Sequence, residues 1–379
     1  MESRYLQSLA HELLSLKPML MIGGPRQVGK TTLSLQLLSN PHPLENNPAY
    51  LNWDSAGVPQ MLREGKLPAQ EKIIILDEIH KYKNWRNLIK GFYDTYKNSK
   101  KFIITGSAKL DHYRKGGDSL LGRYFHLRLH PLSLTELNKN PNAADLQQLL
   151  KWGGFPEPFF KQNEKFLRLW KRQRNTQLIR EDLRDLEMIR EISLVEQLAE
   201  TLPSKVGSRL SIKNIKQDIG VDHKTIVRWI TYFENLFICF RISPYGSPKI
   251  KAIKKDQKLY YWDWSDVENS GARFENLVAG QLYKLCHFIE DSEGIPCELR
   301  YLMDTDKHEV DFVVIKNKKP WFAVECKTGE KWVSKGIHYF KERTSIPQFY
   351  QVHLAKLDYV QNGVRVLPFT TFCKELGMP

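Results

Sequence analysis

Between residues 18 and 130, short apolar runs recur, each followed by a polar or helix-patterned stretch. PMLMIGG, AYLNWDS, KIIILDEI, KFIITGS and YFHLRLH read as five strands. Strands alternating with helical segments predict an α/β domain on a mostly parallel sheet. HPLSLTEL then opens a helical region, and GGFPEP at 153–158 reads as a break marking a boundary. Residues 164–202 are charged, with apolar positions at helical spacing. Between 211 and 235, two helical patterns flank Gly220. From 256 onward the pattern returns to α/β. There HEVDFVVIKNKKPWFAVECK alternates on either side of KNKKP and predicts a hairpin. The expected segments are 1–135, an α/β domain on a parallel sheet; 136–205, a helical linker or lid; 206–255, two helices and a wing; and 256–379, a last α/β domain.

Composition narrows the classes. The chain has 379 residues, enough for several domains. No apolar run is long enough to cross a bilayer, and MESRYLQSLAHELLSLKPML mixes charges into an amphipathic pattern unlike a signal peptide. The five cysteines are scattered singly, so a disulfide framework or zinc site is not expected and a cytoplasmic setting is. A net charge of +14 points to a polyanionic partner, nucleic acid before membrane surface.

GGPRQVGKTT fits G-x-x-x-x-G-K-[ST] between an apolar strand and a helical pattern. The loop of Gly24, Pro25, Arg26, Gln27, Val28 and Gly29 would wrap around phosphates, its backbone N–H groups other than at Pro25 facing them, with the helix N-terminus and Thr32 behind. Lys30 would neutralise the β and γ phosphates, and the Thr31 hydroxyl would bind Mg²⁺. IIILDE ends a buried strand with Asp77 and Glu78 at its carboxyl end, where α/β sheets bind ligands. Asp77 suits Mg²⁺ through water and Glu78 suits the attacking water. Thr105 or Ser107, ending FIITGS, is a γ-phosphate sensor or a cap residue. Arg123 is an arginine finger on a neighbouring subunit's nucleotide, implying a homo-oligomer, or a surface arginine. Asp54 reads as a turn residue.

GGPRQVGKTTL, LDEIHK, ITGSA, LLGRYFHLRLHPLSLTEL, GGFPEP and ARFENLVAGQL together resemble the AAA-type ATPases of bacteria and archaea that carry a C-terminal domain formerly of unknown function. The resemblance spans nearly the whole chain. It implies ATP hydrolysis on an AAA-like core, with ATP and Mg²⁺ as ligands. Ser107 stands where many AAA proteins have Asn.

LSIKNIKQDIGVDHKTIVRWI has the spacing of a helix-turn-helix, and PYGSPKIKAIKKDQKLYYWD would supply a basic wing and return strand. Together they resemble a winged helix. Asp222, His223, Lys224, Thr225 and Arg228 open the second helix, where residues face a major groove. Lys224, Thr225 and Arg228 are the expected DNA contacts, and Lys249, Lys251, Lys254 and Lys255 the expected phosphate contacts. Winged helices also serve as packing modules, and the sequence leaves both uses open.

Alternation in the hairpin puts Asp311, Val313 and Ile315 on one face, and a turn centred on Lys318 sets Asp311 opposite Glu325, beside Lys327. Two converging carboxylates repel unless a cation lies between them. Mg²⁺ held by Asp311 and Glu325, with Lys327 acting on the nucleophile, is a sensible centre, and Glu275 on the preceding helix is a further ligand or supporting acid. Glu275, Asp311, Glu325 and Lys327 match the motif positions of the PD-(D/E)XK nucleases, with Val310 in place of the usual proline. The resemblance implies Mg²⁺-dependent DNA cleavage; the alternative is a nuclease-like domain that binds without cutting, in a DNA remodeller or a nucleotide-gated switch.

Overall fold

The computed structural model describes residues 4–38, 47–106, 120–183, 191–246, 257–329 and 332–379. It divides into two units, Met1–His130 and Pro131–Pro379. Among the described residues no helix is long and apolar enough to cross a membrane.

The first unit runs α1 (Gln7–Leu16), β1 (Met19–Gly23), α2 (Lys30–Gln36), β2 (Tyr50–Asn52), α3 (Val58–Arg63), β3 (Ile73–Asp77), α4 (Trp85–Tyr96), β4 (Lys101–Thr105) and β5 (Phe125–Arg128). The five expected strands form one sheet in the order β2-β3-β4-β1-β5, every neighbouring pair parallel. A parallel sheet buried on both faces accounts for their continuous apolar runs: all five residues of β1 are buried. Trp85, Ile89 and Phe92, one stripe of α4, pack with Ile74, Leu76, Phe102 and Ile104. The register sets Asn52 beside Asp77 and Asp77 beside Thr105, so the polar strand ends share one edge.

The second unit opens with α5 (Leu134–Leu137), α6 (Ala143–Trp152), α7 (Pro156–Lys161), α8 (Glu164–Gln177), a π-helical turn (Leu178–Asp182) and α9 (Ile192–Thr201). GGFPEP, expected as a boundary, lies inside this unit. A Cβ on Gly154 would stand 2.4 Å from Cη2 of Trp264, and the Trp264 indole donates to the Leu149 carbonyl at 2.7 Å. Gly153, at φ 76, would set a Cβ 2.6 Å from Asp263 Oδ1, so both positions leave room only for glycine.

Next come α10 (Ile212–Ile219) and α11 (His223–Asn235), joined through Gly220 at φ 80. Gly220 takes the left-handed conformation that ends α10, and the Asp222 side chain caps α11 by accepting from the Lys224 and Thr225 amides. β6 (Cys239–Pro244) and β7 (Lys258–Tyr261) follow as an antiparallel pair. Lys249, Lys251, Lys254 and Lys255, the expected phosphate contacts, lie outside the described residues.

After α12 (Ser270–Glu293) come β8 (Cys297–Met303), β9 (Glu309–Lys316), β10 (Lys319–Lys327), α13 (Lys335–Arg343), β11 (Phe349–His353), β12 (Tyr359–Gln361), β13 (Val364–Pro368) and α14 (Phe369–Glu375). Their sheet has the order β12-β13-β11-β10-β9-β8-β6-β7 and is mixed. β6 belongs to it as well: it runs antiparallel to β7 and, at Ser243 and Pro244, parallel to β8.

The β9–β10 hairpin turns at Asn317 and Lys318, both at positive φ, as a tight two-residue connection requires. Lys316 faces Lys319, and a register shift between Pro320 and Phe322 then brings Val324 opposite Phe312. The next step sets Glu325 beside Asp311, as expected, through a tight turn and an irregularity rather than a longer turn. One expectation fails. Val310, not Asp311, joins Val313 and Ile315 in the apolar cluster with Ile337 and Phe340 of α13. The β8–β9 pairing shifts register between Arg300 and Leu302, and this breaks the strict alternation of β9 just before Asp311.

Candidate functional site

At the carboxyl edge of the parallel sheet the chain leaves β1 into GPRQVGKTT. Gly24 has φ 142, and a Cβ there would stand 2.3 Å from the Leu129 carbonyl oxygen, so only glycine fits. Gln27 at φ 61 and Gly29 at φ 99 complete the bend into α2. Pro25 and Val28 are buried, Arg26 is half-buried and Gln27 is exposed. The buried Arg4 guanidinium holds the loop from behind, donating to the Val28 carbonyl and the His130 carbonyl, each at 2.6 Å. Sequence reasoning missed Arg4, because nothing local marks an arginine that acts over such separations. The Lys30 ammonium lies within the loop, donating to the Gly24 carbonyl at 3.0 Å and the Pro25 carbonyl at 2.6 Å. Thr32 is half-buried beside it.

Three hydroxyls converge on Asp77. Thr31 donates to Oδ2 at 3.0 Å, Tyr50 donates to Oδ2 at 2.6 Å, and Thr105 donates to Oδ1. Thr105, one of the two candidates for a γ-phosphate sensor or cap, has its hydroxyl on Asp77. Ser107, the other, lies outside the described residues. Tyr50 was not anticipated, and the Asn52 amide donates to its oxygen at 3.2 Å. Burial and the neighbouring Asp77 raise the Tyr50 phenol well above its ordinary range, so it stays a donor.

Glu78 follows at φ 55, a left-handed turn that swings its side chain off the strand end. Burial, the largest influence, raises its carboxyl above the ordinary range; Asp77 adds to this and Lys30 opposes it. Glu78 Oε2 is buried and accepts no hydrogen bond among the described residues, with the His80 Nε2 at 3.6 Å. The donor set fits Mg-ATP. A hydroxyl and a carboxylate in contact are what Mg²⁺ takes beside phosphate oxygens, and a buried carboxylate oxygen without a donor suits a water.

Arg123 lies against α4, with Nε 3.7 Å from Asp94 Oδ1 and the guanidinium 5.6 Å from the Tyr93 ring centre. Asp54 sits in a turn, its amide donating to Asn52 Oδ1 at 2.8 Å, and pairs with Lys81.

The second unit carries a separate charged centre. Asp311 Oδ2 accepts from the Cys326 amide at 2.9 Å, and the Asp311 amide donates to Glu325 Oε2 at 3.3 Å. Lys327 Nζ donates to Glu325 Oε1 at 2.6 Å. Burial, and then Asp311, push the Glu325 carboxyl up to about 8 against the pull of Lys327. Glu275 on α12 accepts from the Tyr260 hydroxyl at 2.7 Å, and burial and Asp311 push its carboxyl up to about 7. The expected residues thus gather, together with one not foreseen. Lys258 of β7, 1 % exposed, has its ammonium 3.3 Å from Glu275 Oε1 and 3.5 Å from Asp311 Oδ1, and pairs with Glu309. Burial pulls this ammonium down, but Glu275, Asp311 and Glu309 together hold it above the ordinary lysine range.

On the first two turns of α11, Lys224 and Arg228 are exposed one helical turn apart. The Thr225 hydroxyl donates to Asp222, within the helix cap.

Residues 16–138 match a family model described as an AAA domain. The match agrees with the P-loop and the parallel sheet of the first unit. Residues 143–265 and 270–372 match two models described as domains of unknown function, DUF8612 and DUF4143. An uncharacterized protein of Methanocaldococcus jannaschii is 24% identical over 379 aligned residues, covering 83% of this chain and 76% of the relative. An uncharacterized protein of Mycobacterium tuberculosis is 23% identical over 246 residues, covering 65% of this chain and 54% of its own length. The chain thus spans about half of that mycobacterial relative. Among solved structures, the Walker-type ATPase of Pyrococcus abyssi aligns with TM-score 0.44 and 14% identity, covering 72% of this chain and 96% of that one. An Aeropyrum pernix Orc1 protein in complex with DNA aligns with TM-score 0.33 and 14% identity, covering 72% and 92%.

Proposed function

We propose that the chain is an ATP-hydrolysing protein that acts on DNA. The observation carrying the first half is the convergence of Thr31, Tyr50 and Thr105 on Asp77, next to a Glu78 oxygen that accepts no hydrogen bond. When bound, Mg²⁺ would supply positive charge that neutralises the phosphates of ATP. Thr31 and Asp77 would hold that ion, Lys30 would leave the loop carbonyls for the phosphates, and Glu78 would orient the attacking water. A buried carboxyl with a raised pKa accepts a proton more readily than a solvated one. Ser107 as a sensor and Arg123 acting on a second copy remain part of this reading, and with Arg123 comes a homo-oligomer.

The second half rests on charge. In this reading α10, α11 and the β6–β7 pair make a winged helix, with Lys224 and Arg228 exposed where a second helix meets the major groove. The net charge of +14 supports the same partner. We read α12 with β8, β9 and β10 as a PD-(D/E)XK-like domain. Such a domain either cuts with a metal or binds DNA without cutting, and Asp311, Glu325 and Lys327 lie where either form would need them.

The test is ATP turnover by purified protein, alone and with duplex, single-stranded and branched DNA. We expect turnover that Lys30→Ala abolishes and that one DNA form accelerates. Absence of turnover would sink the first half, and turnover indifferent to every DNA form, with no DNA retained in a binding assay, the second.

A further inference from the structure

The charged centre of the second unit has its own cation. We infer that the Lys258 ammonium takes the place of a divalent metal there, so that the sheet domain does not cleave DNA. The inference rests on the PD-(D/E)XK-like reading of that domain and decides between its cutting and non-cutting forms.

Charge gives the first argument. Glu275, Glu309, Asp311 and Glu325 bring carboxylates into one largely buried region, and such groups repel unless positive charge lies among them. A metal was the expected remedy. Lys258 supplies positive charge instead, within 3.5 Å of both Glu275 and Asp311 and paired with Glu309.

Geometry gives the second. Mg²⁺ requires near-octahedral oxygens at about 2.0–2.1 Å. Each oxygen of Asp311 and Glu325 already has a partner in the chain: Lys258, the Cys326 amide, the Asp311 amide and Lys327. A divalent ion entering between Glu275 and Asp311 would have to displace the ammonium or bear its repulsion at contact distance. Among the described residues, the one trio of His, Cys, Asp or Glu with ligand atoms close enough to share an ion is Asp304, Asp306 and His308, in the loop before β9.

The third argument is that Lys258 cannot readily leave. Its backbone pairs with Ile242 of β6 and bridges Arg209 on the other side. Its ammonium lies 5.6 Å from the Tyr301 ring centre, and its side chain is 1 % exposed, against 27 % for Lys327. A lysine that served catalysis would need reach to solvent and substrate. Lys327 has it and Lys258 does not. Without a metal the centre lacks the ion that would turn a bound water into hydroxide near neutral pH, and metal-dependent phosphodiester hydrolysis loses its nucleophile. The centre then joins three elements, β7, α12 and β9, through one ammonium.

The experiment uses the full-length chain without nucleotide. Manganese binding is followed by electron paramagnetic resonance in wild type and Asp311→Asn, and cleavage of duplex, single-stranded and branched DNA is assayed with Mg²⁺ and with Mn²⁺. We expect no manganese signal that depends on Asp311 and no cleavage that depends on it. Lys258→Met, similar in length but uncharged, should gain a manganese signal that is lost again on adding Asp311→Asn. Manganese binding or cutting by wild type that Asp311→Asn removes would overturn the inference, and so would a folded Lys258→Met that gains no manganese. Should Lys258→Met fail to fold, the wild-type comparison decides alone. DNA retention and ATP turnover by wild type are measured alongside, so failure of the broader functional reading registers separately.

Discussion

The Tyr50 hydroxyl donates to Asp77 Oδ2 at 2.6 Å, on the oxygen that Thr31 also reaches. A tyrosine on β2 therefore fixes the carboxylate expected to hold Mg²⁺ on β3. Hydrogen bonds to a charged acceptor contribute about 1.5–3 kcal/mol. Tyr50→Phe removes this one and keeps the ring. If the loss falls on metal binding, the Mg²⁺ concentration for half-maximal ATP turnover rises about tenfold to a hundredfold. A magnesium titration of turnover measures it, and an unchanged midpoint would assign Tyr50 to packing alone.

Lys30 and Glu78 should separate binding from chemistry. Lys30→Ala removes the phosphate cation, and nucleotide binding should be lost. Glu78→Gln keeps shape and the binding groups but loses the base, so ATP stays bound while kcat falls by about 10²–10⁴. Equilibrium binding of a fluorescent ATP analogue beside single-turnover hydrolysis gives both numbers. Glu78→Gln turning over at the wild-type rate would remove Glu78 from the reaction.

Stability should fall as pH rises toward 8. Burial and Asp311 raise Glu325 from 4.5 to about 8, and the same influences raise Glu275 to about 7. A carboxyl that keeps its proton more firmly when folded contributes stability that is complete below pH 4.5. That contribution drains away as pH climbs through the folded-state value. Glu325→Gln cannot ionise, so its denaturation midpoint should decline less than that of wild type over this interval. Denaturant melts at successive pH values report the slope, and identical slopes would exclude Glu325 as a source.

Lys224→Ala with Arg228→Ala should weaken DNA binding and flatten its salt dependence. Every phosphate that goes without its cation lowers the slope of log affinity against log salt by about 0.9 on duplex DNA. Titrations at several salt concentrations separate this from misfolding, which would abolish binding at all of them. Unaltered slope and affinity would make α10 and α11 a packing module.

The nucleotide loop was legible because its chemistry is contiguous. Gly24 through Thr32 stand in a row between a strand and a helix, and Asp77 and Glu78 directly end an apolar run. What escaped was action over distance. Arg4, Tyr50 and Lys258 lie far along the chain from the groups they hold, and no short pattern marks them. Lys258 looks like one more residue of a basic stretch until the sheet buries it among acids. The meeting of Asp311 and Glu325 was foreseen by counting outward from the turn. The face of Asp311 was not, since a shift in β8–β9 pairing undoes the alternation that such counting assumes. The glycines at 153 and 154 carried the right signal of an interrupted helix, but Asp263 at Gly153 and Trp264 at Gly154, more than a hundred residues later, decide why they are small.

β6 is a strand with two allegiances, pairing with β7 along its start and with β8 at its end. The helices that would read DNA and the sheet that follows them are therefore poor candidates for shuffling as independent modules. A chain cut at 255/256 keeps β7 but strips away its partner, leaving an open backbone edge of the kind that pairs with other molecules and aggregates. It would also unmoor Lys258 and set the acids it neutralises against one another. Any fusion, truncation or domain swap has to carry Cys239–Pro244 along with whatever lies on either side of it.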